Sequence, residues 1–342
     1  MDNRAAAEVA RVVDGRRDVA GLVAAASQRV DPATAFAVVR SMLGKGYLRE
    51  GEPVGGSFGS YLEGRGVDPA HTIEGLSSCR VRLLPLVLRR SHDEVQEVLG
   101  SISSVLQEEG IPVECLDGDS DVSSTDDPGS LVIVAEDYVH PRLEGLNEGL
   151  QRRGEPWLIV KPWGQSVWLG PAFVPGRSAC WACLRERLVA NRQSERYLAE
   201  RLHRLPVVPA SGLMPGAPQL AAQAILAHLI AVVNNERSPF EDVLRSMDLQ
   251  TLAVTDHAVV SQPQCPVSGV LGHRPTDDVH LAPTRALGDA DGGYRVCTPE
   301  ETVERLARHV SPITGAVSKI ESLGVDTDGV TFSFSAGHNY AT

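Results

Sequence analysis

The chain is 342 residues long, which at about 100–200 residues per domain makes room for two or three domains. A composition of 42% hydrophobic and 22% charged residues excludes wholesale disorder and a coiled-coil rod. With 32 Lys and Arg against 44 Asp and Glu, the formal charge of −12 makes the surface as a whole repel phosphate backbones, so nucleic acid is not an expected partner.

The longest apolar run, Leu220 to Val233, holds Gln223 and His228 and falls short of the roughly 20 residues a membrane helix needs. Residues 1–20 carry Asp2, Glu8, Asp14 and Asp18 without an apolar signal core, so the chain is expected in the cytoplasm, with no membrane partner.

The first fifty residues predict three short helices: Val9, Val12 and Val13, then Val19, Leu22 and Val23, then Phe36, Val39 and Leu43 recur at helical spacing. Asp14-Gly15 closes the first, and Asp31-Pro32 opens the third with an N-cap followed by proline. Running into Leu43-Gly44-Lys45-Gly46-Tyr47-Leu48, this trihelix has the spacing of a winged-helix domain over residues 1–54, in which a glycine turn leads to a β-wing. The first fifty residues contain eight Lys or Arg against six Asp or Glu. DNA binding through Arg40 and Lys45 is one reading, but so small an excess is a weak footprint beside the usual basic patch.

Residues 51–60 read as a joint, and a short helix near Pro69 to Leu76 completes a linker over 55–78. A second domain, 79–268, opens with a strand at Arg80 to Leu88, a helix at His92 to Glu109 and a strand at Pro112 to Leu116. The Asp- and Ser-rich run 117–127 reads as a solvated loop without the ligand and glycine spacing of an EF-hand. Leu131 to Val134 suits a strand buried on both faces, followed by a helix through Leu143, Leu146 and Leu150 and a strand at Trp157 to Val160. This alternation predicts an α/β fold with a doubly wound, mostly parallel sheet. Residues 165–176 look like a hairpin. A helix through Leu184 to Asn191, a long helix over Pro218 to Asn234, and paired strands at Val243 to Leu252 and Val254 to Val260 follow. A Pro-, Gly- and Asp-rich linker covers 269–293, and Thr298-Pro299-Glu300-Glu301 is a capping signal for a helix in the last region, 294–342.

A doubly wound sheet that binds a nucleotide carries a glycine-rich turn after its first strand. Leu83 to Arg90 has no glycine, so no backbone cradle for a phosphate and no bound nucleotide are expected. Gly55-Gly56-Ser57-Phe58-Gly59 follows no α/β strand and reads as linker. The strongest chemical signal is cysteine: Cys180 and Cys183 sit two residues apart at a helix start, where the helix dipole favours thiolates. A structural zinc wants four ligands, and Cys265 lies in a turn suited to a second half-site. Its partner position is Ser268, a poor zinc ligand, which His273 or a water could replace; redox chemistry and reduced structural thiols are the alternatives. Cys79, Cys115 and Cys297 read as buried strand or linker residues, and His257, beside Asp256, as a structural histidine.

The Asp14-Gly15 and Leu43 to Leu48 trihelix, the run Gly170-Pro171-x-Phe173-x-Pro175-Gly176 to Cys180-Trp181-x-Cys183-Leu184-x-x-Arg187, and Asp256-His257 to Pro263-Gln264-Cys265-Pro266 resemble the leader-peptide-binding partner proteins of azoline-forming, YcaO-dependent cyclodehydratases in ribosomal peptide natural product biosynthesis. The resemblance implies a winged helix that recognises the precursor's leader peptide. It also implies a middle domain similar to ubiquitin-activating and thiamine-pathway (ThiF-like) adenylating enzymes, with a four-cysteine zinc site and no adenylation. Residues 295–324 resemble the opening of a YcaO domain, the ATP-using half that such a chain would serve. The expected role is presentation of the precursor to a YcaO domain or subunit, with the catalytic residues elsewhere; an adenylating enzyme and a DNA-binding regulator are the rival readings, and a homodimer is compatible with each. Ser268 stands where the family has its fourth cysteine. The family's winged helix begins with a β-hairpin whose edge accepts the leader, which would lie between that sheet and the third helix against Phe36, Val39, Arg40 and Leu43.

Overall fold

The computed structural model describes residues 3–48, 50, 56–120, 122, 129–202, 212–269, 296–326 and 329–335, and divides into two compact units, Met1–Glu74 and Gly75–Thr342. The linker 269–293, apart from Gly269, and most of the loop 117–127 lie outside the described residues.

The first unit follows the expected trihelix: α1 (Asn3–Ala10), α2 (Val19–Ala26) and α3 (Pro32–Gly44). The Asp18 and Asp31 side chains accept from the Gly21 and Thr34 N–H groups at 2.7 and 3.0 Å, meeting orphan donors at two helix starts. Val9, Leu22, Ala26, Ala35, Val38 and Val39 make the core. Gly46, at a φ of 73°, ends α3, and the Tyr47 N–H reaches back to the Met42 carbonyl at 2.9 Å. Residues 45–48 are therefore a turn. Among the described residues this unit has no strand, neither the wing nor the hairpin edge that leader augmentation would use. Residues 56–60, expected as part of a joint, instead belong to α4 (Gly56–Arg65), where Leu62 supplies a buried anchor that the glycines masked in the pattern. α5 (Pro69–Ser78) follows.

The second unit is the expected α/β fold. It runs β1 (Val81–Leu86), α6 (His92–Glu108), β2 (Val113–Cys115), β3 (Ser130–Ala135), α7 (Arg142–Arg153), β4 (Trp157–Lys161), β5 (Ser166–Phe173), α8 (Trp181–Asn191), α9 (Gln193–Leu202), α10 (Ala217–Val233), β6 (Val243–Asp248) and β7 (Val254–Ala258). The strand order is β2-β1-β3-β4-β5-β6-β7. The first four strands are parallel, and β5, β6 and β7 continue as an antiparallel meander, so β6 again points with β1. Residues 165–176, expected as a hairpin, instead hold the single strand β5, whose partners are β4 and β6.

Burial on both faces explains the unbroken apolar runs of β1, β3 and β4. On one face Leu84, Leu86, Leu131, Ile133, Trp157 and Ile159 pack with Leu143 and Leu150 of α7 and Trp181, Leu184 and Leu188 of α8. The alternate residues face the side on which α6 and α10 pack together. A capping box between Ser91 and Glu94 starts α6. Gly170 is required by shape: its φ is 74°, and a Cβ there would meet Phe240 and the Val243 carbonyl.

The last region holds α11 (Pro299–Ala307), opened by the expected Thr298–Glu301 capping box, and the antiparallel pair β8 (Lys319–Asp326) and β9 (Gly329–Ser335). Its segment 311–315 is fastened to the sheet domain. Ser311 Oγ lies 2.8 Å from His257 Nδ1, Thr314 Oγ1 donates to the Ala258 carbonyl at 2.8 Å, and Asn191 Nδ2 donates to the Ile313 and Gly315 carbonyls.

Candidate functional site

Parallel β-sheets bind ligands at the carboxyl ends of their strands, where neighbouring connections leave in opposite directions. Here that crevice lies between β1 and β3. The sequence without glycine after β1 predicts no backbone cradle; the structure corrects this. The Leu88 and Arg89 N–H groups do converge on one acceptor, and the acceptor is the chain's own Glu136, whose Oε2 lies 2.7 and 3.0 Å from them. Arg90 Nε lies 3.2 Å from the other oxygen, Oε1. Glu136 is buried at the end of β3, so its carboxylate sits among donors as an anionic ligand would.

The surrounding side chains extend this closure. Asp137 takes two 2.8 Å bonds from Arg192 Nη1, and Arg192 also lies over the Trp168 ring. Lys161 Nζ lies 4.4 Å from the centre of that ring, and burial brings its pKa down to about 8. Burial likewise lowers His140, which follows β3. Sequence reasoning missed Glu136, Asp137, Lys161 and Arg192; the one signal available was their position at or after the apolar strands, with Arg192 at the end of α8.

The cysteine cluster forms where α8 begins. Cys180 is the N-cap residue of α8 and Cys183 lies in its first turn. Trp181 fixes that turn: its N–H donates to Asn147 Oδ1 at 3.1 Å and its ring Nε1 to the Tyr138 carbonyl at 2.7 Å. The turn after β7 brings Cys265, and a Cβ at Gly269 would collide with the Pro263 and Cys265 carbonyls, which keeps that turn tight. The Cys180 Sγ–Cys183 Sγ distance is 3.9 Å and the Cys180–Cys265 distance 3.6 Å. These are too long for a disulfide of about 2.05 Å. They match the edge of about 3.8 Å expected between ligands held about 2.3 Å from one zinc ion.

All three sulfurs are buried and lie within 4.8 Å of one another, so the triad could hold a metal. The Cys180 thiol hydrogen-bonds to Cys183, and that bond, helped by the Gln262 N–H at 3.4 Å, holds the Cys183 thiol below the usual cysteine range against the effect of burial. Cys180, the donor, is pushed up by the same bond and by burial. Ser268 Oγ lies beside the triad, 3.6 Å from Cys183 Sγ. His273 lies outside the described residues. Cys115, expected to be buried, is exposed on the edge strand β2, while Cys79 and Cys297 are half-buried. His257 is buried with both ring nitrogens engaged, by Ser246 and Ser311, as a structural histidine should be.

On α3 the four leader-contact residues separate. Phe36 is 51% exposed and Arg40 is exposed, whereas Leu43 is half-buried against the core. Val39 is 0% exposed, which withdraws it as a contact: it shares the inward stripe Ala35, Val38, Val39. Phe36 instead borders an apolar groove between α2 and α3 with Val19, Ala20, Val23, Ala24 and Pro32. Among the described residues, no helix is long and apolar enough to cross a membrane.

No family model and no curated protein matches the chain. Among solved structures it is similar to a heterocyclase in complex with substrate and cofactor, at 26% identity and a TM-score of 0.72 over 93% of this chain and 42% of that one. It is similar at the same 26% identity to the heterocyclase TruD, with a TM-score of 0.68 over 91% and 44% of the two chains. The E. coli MccB structure with ATP shares the fold, at 13% identity and a TM-score of 0.54, over 78% of this chain and 90% of MccB. The chain thus spans less than half the length of the heterocyclases it matches, and its α/β architecture is theirs.

Proposed function

We propose that this chain is the substrate-recruiting part of a peptide heterocyclase in ribosomal peptide natural product biosynthesis. It binds a precursor's leader and presents the Cys, Ser or Thr residues to a YcaO cyclodehydratase domain or subunit that uses ATP. The observation that carries this reading is the buried Glu136 carboxylate in the switch-point crevice, in a chain that aligns over 93% of its length with a heterocyclase solved with substrate. A crevice that satisfies its own backbone donors favours a scaffold over an adenylating enzyme. The contribution is local concentration and orientation of the precursor.

In this reading residues 1–54 recognise the leader, 55–78 connect, 79–268 form the ThiF-like scaffold, 269–293 link, and 294–342 open the YcaO domain. Phe36 and the α2–α3 groove receive apolar leader side chains while Arg40 faces leader acids. Cys180, Cys183 and Cys265 hold a zinc ion, which when bound ties the start of α8 to the turn after β7. Titration of the chain with a fluorescent synthetic leader, encoded beside it, tests the role: saturable binding weakened by Phe36→Ala is expected, and absence of saturable binding by the intact chain rejects it.

A further inference from the structure

We propose that the three-cysteine cluster is a metal site with one exchangeable position, opened by Ser268 toward a neighbouring cavity, and that the thiol of a peptide cysteine is the ligand taken there. This rests on the zinc assignment above and adds to it what the fourth ligand is.

Cys180, Cys183 and Cys265 are buried and held at tetrahedral-edge spacings by α8 and the Cys265 turn. The polar group beside them is the Ser268 hydroxyl, 3.6 Å from Cys183 Sγ. An alcohol keeps its proton near neutral pH and is a weak zinc ligand beside thiolates. Sites closed by four strong protein ligands are structural, whereas sites with three keep a position for an outside ligand. Ser268 is half-buried and lines a cavity of about 720 Å3 together with Arg177, Ser178, Asp242, Ser261 and Arg308. Cavities of this size accept molecules as large as a short peptide segment. Ser268 thus belongs both to the sulfur cluster and to the cavity wall.

The chemistry selects the ligand. A site already built of soft thiolates favours another soft donor over a hard one. Arg308 on the cavity wall offsets part of the negative charge that a fourth thiolate adds, while Arg177 beside it is already paired with Glu241. In the exchange the incoming thiol gives its proton to solvent, a metal–sulfur bond forms, and the bond to the oxygen of water or Ser268 breaks. No electrons are transferred.

Reconstitution of the full chain with Co2+ tests this by absorption spectroscopy, with the peptide Gly-Cys-Gly and its serine counterpart Gly-Ser-Gly as probes. One cobalt per chain with a three-sulfur charge-transfer band is expected. Gly-Cys-Gly should raise that band by about one third, the gain from three to four sulfurs in a tetrahedral site, and Gly-Ser-Gly should not. Ser268→Cys should start at the four-sulfur intensity and ignore the peptide, while Ser268→Ala should respond as the wild type does. Cobalt binding without a response to Gly-Cys-Gly, or a response gained only in His273→Ala, overturns the exchangeable position. Failure of both the wild type and Ser268→Cys to retain cobalt or zinc overturns the metal assignment itself.

Discussion

The switch-point crevice and the cysteine cluster belong to one sheet domain but are completed in different ways. The crevice is closed from within: two backbone N–H groups and Arg90 converge on Glu136, and Arg192 on Asp137. The cluster gathers three sulfurs and stops at an alcohol. A switch-point crevice can therefore be filled by one acidic side chain, while three sulfurs gathered as a metal site would need are left with a hydroxyl beside them. Neither arrangement needs a new element.

The largest effect that sharpens this contrast is metal loss. Structural zinc sites contribute roughly 10 kcal/mol or more to folding at neutral pH. Cys183→Ser should lose stoichiometric zinc by metal analysis and lower the thermal midpoint strongly, whereas Ser268→Cys should raise it. Next comes Glu136→Ala, which removes the acceptor of the Leu88 and Arg89 N–H groups and the buried carboxylate beside Arg90. Removing one partner of a buried ion pair costs about 3–5 kcal/mol, measurable by urea unfolding, and a neutral result would break the idea that the crevice is sealed by Glu136.

Acid should weaken the domain by a comparable amount. His228 is buried on α10 against Ser238, and burial lowers its pKa from 6.5 to about 4. Below pH 6.5 the unfolded chain takes up a proton that the folded chain refuses until about pH 4, so stability is full above 6.5 and falls between these values, by about 3 kcal/mol. His228→Gln should flatten that part of the stability profile; an unchanged profile would remove His228 as its cause.

The smallest effects divide closed from open positions on α3. Val39→Ala should cost folding of the first unit about 2 kcal/mol while leaving leader affinity per folded molecule unchanged. Phe36→Ala should leave folding nearly unchanged and weaken the leader by about 2 kcal/mol, roughly thirtyfold, in anisotropy titrations. The reverse pattern would exchange their roles.

Elements whose cause is local were legible in the sequence. The buried strands announce themselves as apolar runs, α6 by its apolar face, α11 by its capping box, and the trihelix by spacing and the Asp31 cap. Cys180, Cys183 and Cys265 could be grouped because their residue types are rare and their turns recognisable. The Glu136 closure was not legible, since donors and acceptor lie 47 and 48 residues apart and only the parallel register of β1 and β3 brings them together. Val39 was misassigned because Phe36 and Val39 share helical spacing, and which side of the stripe meets α1 and α2 is decided by packing. The helix α4 was hidden by its glycines, which propensity alone places in a linker.

Titration of the wild-type chain with ATP and Mg2+ by isothermal calorimetry probes the role of the sheet domain most directly. With Glu136 in the place of an outside anion, no saturable heat is expected, and the leader should bind equally well with or without nucleotide. Saturable ATP binding by the wild type, abolished by changes at Leu88 to Arg90, would contradict the account and return the domain to activation chemistry.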